Sequence, residues 1–284
     1  MDELDFTHAP AKSSYDAVAA YEFFKSVGRE ETLQADKTIF VEDEKGNRLL
    51  LQRDRMYLLL EGEVELSINE KSVGTVHKGE IFGEMAFITR SARSATATTN
   101  MQCRIIALDE KQFHAALGER PEFALTMMGV MVGRLREMLA RLSADYVLPE
   151  NDELEESAVF DKNLLAELED EIGEREIMRY HSGKVIMQEG HTGVLMYVVL
   201  EGQVAVTIQN HTVEIVGPGG MFGEMALIER TERLASAIAE TDCSLLPINR
   251  NVFLELVKEN PEFGVTLLSA VGVRALFIAK HHAI

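Results

Sequence analysis

The run Phe82-Gly83-Glu84-Met85-Ala86 is followed by Arg93-Ser94-Ala95-Thr96. A strand ending at Phe82 and a short helix starting at Gly83 leave unpaired backbone N–H groups at the helix start, at the positive end of its dipole. Gly83 lets backbone approach a ligand closely. Arg93, nine residues beyond Glu84, can return a guanidinium fork to the same point, and that fork suits two phosphate oxygens. Ser94 adds a hydroxyl, and Ala95 leaves room. Glu84 is out of place beside a phosphate unless it accepts hydrogen bonds from a sugar hydroxyl. A phosphate, a ribose hydroxyl and a compact pocket together describe a cyclic nucleotide. Taken singly, Glu84 would be an acid in a first helical turn, and Arg93 half of a surface ion pair worth little.

The run occurs twice. Phe222-Gly223-Glu224-Met225-Ala226 repeats it, and Met56-Tyr57 returns as Met196-Tyr197, Cys103 as Cys243, and Pro121-Glu122-Phe123 as Pro261-Glu262-Phe263. The offset is 140 each time (196 − 56, 222 − 82, 243 − 103, 261 − 121). A period this long is a duplicated domain, not a solenoid. Arg233 keeps the spacing from Glu224, and Ala235 matches Ala95, but Leu234 stands where the first copy has Ser94. Leu234 removes a hydroxyl and adds bulk near the expected phosphate.

The elements that must position these residues follow from hydrophobic period. Tyr15 to Gly28 reads as a helix with Val18, Tyr21, Phe24 and Val27 on one face, and Asp161 to Ile172 reads as its counterpart. Short strands follow, with Gly62 and Gly202 at tight turns. The extra residues of the first copy between Phe40 and Leu51, including Lys45-Gly46-Asn47-Arg48, read as a longer hairpin. Each copy then returns to helix: Pro121 to Leu142, with Phe123, Met127, Val130, Met131, Leu135, Met138 and Leu139 at helical spacing, and a shorter one from Pro261 to Ala279. The expected fold is mainly β: two tandem antiparallel jelly-roll barrels, each flanked by N- and C-terminal helices. The boundary falls near Tyr146 to Ser157, giving domains 1–148 and 149–284, with Glu150 to Glu156 as solvated connector.

These residues resemble the phosphate-binding cassette of the cyclic nucleotide-binding domain family, which includes bacterial catabolite activators and the regulatory subunits of cAMP-dependent kinases. That pattern is Phe-Gly-Glu, a variable residue, Ala or Gly, then Arg followed by small residues. The first copy satisfies it throughout, and the second departs at Leu234. The resemblance implies that Glu84 takes the ribose 2′-hydroxyl and Arg93 neutralises the cyclic phosphate. It places Gly83, Met85, Ala86, Ser94 and Ala95 around the same ligand. The second site would use Gly223, Glu224, Met225, Ala226, Arg233, Leu234 and Ala235. It also implies a base capped by the helix after the barrel, where Met131, Leu135, Met138 and Leu139 make an apolar lid. The ligand expected is cAMP, with cGMP the alternative, and no separate cofactor.

Composition bounds the output. Hydrophobic residues at 46% and charged residues at 26% are ordinary globular values. A net charge of −19 opposes nucleic acid and anionic membrane. No apolar run reaches the roughly 18–20 residues of a membrane helix, and two cysteines make no disulfide framework. A cytoplasmic protein is expected. No Gly-x-Ser-x-Gly, P-loop or zinc cysteine pair is present, so an enzyme is not expected. No room remains after the second long helix for a DNA-reading helix, and no Arg-Arg-x-Ser or Arg-Arg-x-Ala inhibitor sequence precedes the first barrel. The reading is a cyclic nucleotide sensor with an unidentified protein partner; either the two copies mimic a dimer internally or the chain forms a homodimer through the post-barrel helices at Met127, Met131 and Leu135. The rival is a ligand-independent interaction scaffold that keeps the fold. Cys103 and Cys243 read as small buried side chains, and Arg90 and Arg230 as surface residues.

Overall fold

The computed structural model describes residues 15–45, 55–142, 156–157, 160, 165–166, 177–228 and 232–282, with backbone alone over 134–142, 156–157 and 274–282. Two compact units form, Met1–Glu137 with Val271–Ala283, and Met138–Ala270.

In the first unit, α1 (Ala17–Val27) starts at Asp16, whose carboxylate accepts from the amides of Val18 and Ala19. The strands are β1 (Arg29–Leu33), β2 (Thr38–Phe40), β3 (Arg55–Glu61), β4 (Val64–Ile68), β5 (Lys71–Val76) and β6 (Ile81–Phe82), then, after helix α2 (Glu84–Thr89), β7 (Thr96–Thr99) and β8 (Cys103–Asp109). They make two antiparallel four-stranded sheets, β1-β8-β3-β6 and β2-β7-β4-β5. Phe40, Tyr57, Leu59, Val64, Phe82 and Cys103 share their apolar core. Helices α3 (Glu110–Glu119) and α4 (Glu122–Leu142) complete the unit.

The second unit repeats this plan. Its strands are β9 (Glu156–Ser157), β10 (Met178–Tyr180), β11 (Val185–Met187), β12 (Met196–Glu201), β13 (Val204–Ile208), β14 (His211–Val216), β15 (Met221–Phe222), β16 (Ser236–Ala239) and β17 (Cys243–Ile248). Helices α5 (Arg250–Glu259) and α6 (Pro261–His282) follow, the second unit taking α6 only as far as Ala270. The sheets run β10-β17-β12-β15 and β11-β16-β13-β14-β9. The repeat is therefore written in the core: Tyr57, Leu59, Val64, Phe82 and Cys103 have Tyr197, Val199, Val204, Phe222 and Cys243 as counterparts in an equivalent cluster. Gly62 and Gly202 hold φ of 96° and 80° at the expected turns.

Several expectations change. In α1 the buried face is Ala20, Phe23 and Phe24, while Val18 is 71% exposed and Tyr21 lies at the surface. The ring of Phe23 stacks on Phe123 at 3.7 Å and meets Phe113 edge-on at 5.9 Å. Three aromatic rings bury more apolar area than a Val–Tyr stripe and set the helix rotation. The helices α3 and α5 were not anticipated. Asp109 and Gln112 form a reciprocal capping box for the first, and Asn249 caps the second. α6 has 22 residues against 21 for α4, so it is not the shorter helix. The end of the connector is not simply solvated, because β9 pairs parallel with β14 (Ile215↔Glu156, Val216↔Ser157). The residues 46–48 of the proposed hairpin, most of the helix over Asp161–Ile172, and Arg230 lie outside the described residues.

Replacing Phe23 by Ala removes the ring that α3 and α4 pack on. We expect about 3–5 kcal/mol of destabilisation in denaturant unfolding. Val18→Ala, on the face assigned by period alone, should change stability by less than about 0.5 kcal/mol.

Candidate functional site

Each cassette begins with a residue that only glycine fits comfortably. Gly83 and Gly223 hold φ of 74° and 78°, the left-handed region. A Cβ on Gly83 would lie 3.0 Å from Arg93 Nη1, 3.2 Å from the Phe40 ring and 3.3 Å from the Tyr57 ring. The turn releases the chain from β6 into α2 and, in the second copy, from β15 into a 3₁₀ helix over Glu224–Leu227. Glu84 and Glu224 follow at once, and both are buried, with 3% and 7% exposure. A buried carboxylate is costly unless hydrogen-bonded or paired, so these are built positions rather than surface acids.

The arginines are held by backbone. Arg93 Nη1 donates to Gly83 O at 2.8 Å, and Nη2 to Arg55 O at 2.9 Å. Arg233 Nη1 donates to Gly223 O at 3.0 Å, and Nη2 to Leu195 O at 2.6 Å. The acceptors are equivalent positions of the repeat, since 195 − 55 and 223 − 83 are both 140. The register explains why two carbonyls converge. β6 lies beside β3 through Tyr57↔Phe82, and β15 beside β12 through Tyr197↔Phe222. The arginine's own backbone is fixed too: Arg93 N donates to Glu44 O, and Asp43 N donates to Arg93 O. Arg233 N likewise donates to His191 O, and Gly190 N to Arg233 O.

The two pockets differ in what lies against the guanidinium. In the first copy it sits over the Phe40 ring at 4.4 Å, a cation–π contact. In the second, Gly193 lies against it: a side chain there would meet Arg233 Nε at 2.6 Å and Cζ at 2.8 Å. Burial pulls the Arg233 pKa below the ordinary guanidinium value, against raising contributions from Tyr197 and Glu224. That guanidinium is partly desolvated, and an anion placed on it would restore what burial removed.

Gly83, Glu84 and Arg93 therefore come together, as do Gly223, Glu224 and Arg233. Met85 and Ala86 are buried, Ser94 is exposed and Ala95 half-buried. Leu234 is 47% exposed, so its bulk does not fill the interior of the second pocket. Met127 and Met131 are fully buried. The side chains of Leu135, Met138 and Leu139 lie outside the described set. Sequence reasoning missed Phe40, Gly193 and the carbonyls of Arg55 and Leu195. Carbonyl acceptors leave no signal in side-chain types. Gly193 is one of 20 glycines and sits in no motif that marks it. Arg90 is a surface residue paired with Glu110 at 2.6 Å, as expected. Among the described residues no His, Cys, Asp or Glu cluster is arranged to hold a metal ion, and no helix is long and apolar enough to cross a membrane.

A family model described as "Cyclic nucleotide-binding domain" matches residues 30–120 and 177–260. A cGMP-dependent protein kinase of Plasmodium berghei is 23% identical over 250 residues, 86% of this chain and 27% of that protein. A cAMP-dependent protein kinase regulatory subunit of Eremothecium gossypii is 26% identical over 218 residues, 75% of this chain and 43% of that one. The chain thus spans less than half the length of either relative. The regulatory domain of Toxoplasma gondii PKA, solved with cAMP, aligns over 88% of both chains at 20% identity, with a TM-score of 0.31.

The rings beside the arginines provide a titration test. Burial raises the phenol pKa of Tyr57, with Arg93 and Arg55 pulling it down, and burial raises that of Tyr197. A folded pKa above the unfolded value of 10.0 favours folding below that pH and loses the contribution as pH rises through the folded value. Absorbance at about 295 nm should show part of the phenol signal delayed beyond the ordinary range near 10. Stability should fall as pH rises above that value.

Proposed function

Because the chain belongs to the cyclic nucleotide-binding domain family, we propose that it is a cytoplasmic sensor that binds cAMP in preference to cGMP and regulates a protein partner. Supporting this reading above all, both copies hold an arginine on the same pair of backbone carbonyls next to a buried glutamate. Such a fork is oriented before ligand arrives, which lowers the cost of ordering it on binding. Arg93 and Arg233 neutralise the cyclic phosphate, and Glu84 and Glu224 accept from the ribose 2′-hydroxyl. No separate cofactor is needed for this role.

The second site is also a binding site on this reading. Its arginine keeps both carbonyl contacts, and Leu234 stands half in solvent. Ligand can move a helix toward a partner only by its differential affinity for the two helix positions.

Isothermal titration of protein stripped of bound nucleotide, with cAMP and cGMP in parallel, tests this. Two sites are expected, with cAMP the tighter ligand. Arg93→Ala should weaken the first roughly 30-fold, the worth of about 2 kcal/mol in a charge-assisted hydrogen bond. Gly193→Val, which displaces the Arg233 guanidinium, should weaken the second and leave the first intact. No heat and no thermal stabilisation with either nucleotide would sink the sensor and leave the ligand-independent scaffold.

A further inference from the structure

We infer that Tyr15 is a positioning residue for the first cassette: its hydroxyl, donated to Gly79 O, holds in place the turn from which Glu84 is presented. The inference rests on the reading that this cassette takes a cyclic nucleotide.

The contact measures 2.5 Å and joins residues far apart in sequence. Gly79 lies at φ +88° in the turn between β5 and β6. Toward β3 the turn is already fixed: Gly79 N donates to Leu59 O at 2.7 Å, and Leu59 N to Glu80 O at 3.0 Å. Within itself it is closed by His77 N donating to Glu80 Oε2 at 2.8 Å and Glu80 N to His77 O at 3.0 Å. Tyr15 supplies a restraint from outside the barrel. The two-residue strand β6 then carries the chain to Gly83 and Glu84, so displacement of the turn is transmitted directly to the carboxylate. The start of α1 lies against the same turn, since a Cβ on Gly79 would be 3.7 Å from Ala17 Cβ. Burial pushes the Tyr15 phenol well above its ordinary range, and the Glu80 and Glu84 carboxylates add to that. The hydroxyl therefore stays protonated as a donor.

The second copy meets the same requirement with different chemistry. Its equivalent carbonyl, Gly219 O, accepts from the Phe160 amide at 2.8 Å. Tyr15-Asp16 and Phe160-Asp161 are both aromatic–aspartate pairs, but at an offset of 145 (160 − 15) rather than the 140 of the cassettes, so they are not equivalent positions of the repeat. Both copies thus tie the segment before the barrel to the carbonyl before the cassette. The first uses a side chain, which a single substitution removes, and the second uses backbone, which substitution leaves. At the far end of α1, Phe23 and Phe24 pack on Phe123, so the hydroxyl also connects the cassette to the packet of α1, α3 and α4.

Tyr15→Phe keeps the ring and deletes the donor. Hydrogen–deuterium exchange of ligand-free protein should show faster exchange over 79–89 in this variant and no change over 219–228. In an Arg233→Ala background, which isolates the first site, titration with cAMP and cGMP should show that site loosened about fivefold, the worth of one net hydrogen bond. Unchanged exchange over 79–89 overturns the inference. Faster exchange with unchanged first-site affinity also overturns it, reducing Tyr15 to packing. If the parent protein takes neither nucleotide, the sensor reading falls, and the exchange result alone decides whether Tyr15 sets the cassette's position.

Discussion

A guanidinium held by two backbone carbonyls is the constraint on which each copy depends. Taking a cation out of water is expensive, and it persists there only if its donors are satisfied and its plane is fixed. The carbonyls of Gly83 and Arg55 meet that need in the first copy, and those of Gly223 and Leu195 in the second. They converge only because a two-residue strand lies beside the longer strand that supplies the second carbonyl. The left-handed glycine then aims its own carbonyl back toward the arginine. The core pairs Tyr57–Phe82 and Tyr197–Phe222, stacked at 5.1 and 5.2 Å, brace those same strands. Sheet pairing, turn conformation and core packing thus converge on one polar group.

Duplication kept that group and let its surroundings drift. The aromatic face of Phe40 under Arg93 is replaced in the second copy by Met187 near Gly223 and by bare backbone at Gly193. Glu110, which pairs with Arg90 at 2.6 Å, has Arg250 as its counterpart, 140 residues on. Arg250 donates instead to Leu227 O at 3.1 Å, at the end of the 3₁₀ helix. One copy thus holds its cassette helix with a surface ion pair, and the other with a charge-assisted bond to a carbonyl. The second kind is the less sensitive to salt.

Much of this was legible in the sequence, for identifiable reasons. The duplicated cassette, the buried cysteines and the glycine turns carry their signals in residue type and spacing. The mainly β architecture with flanking helices follows from short strand runs bounded by glycines. The rotation of α1 was misread because period alone cannot weigh Phe23 against Val18, and a partner ring at Phe123 decides it. The helices α3 and α5 were missed although Asp109-x-x-Gln112 is a readable start signal. The arginine's acceptors were invisible in principle, because every residue has a carbonyl and only tertiary register selects Arg55 and Leu195. The same holds for Tyr15, whose partner lies 64 positions away.

The strand β9 and Phe160 bear on where the second unit begins as a folding body. Sequence similarity to the family starts at residue 177, but the material that finishes this unit starts earlier. Glu156 and Ser157 cover the outer edge of β14, and an uncovered edge is a template for pairing with other chains. The Phe160 ring stacks on Phe263 at 5.5 Å, and its amide closes the turn at Gly219. A fragment cut at the family boundary would expose that ring's partner and open that edge together. Dissection of the protein into halves therefore has to leave the connector with the half that follows it.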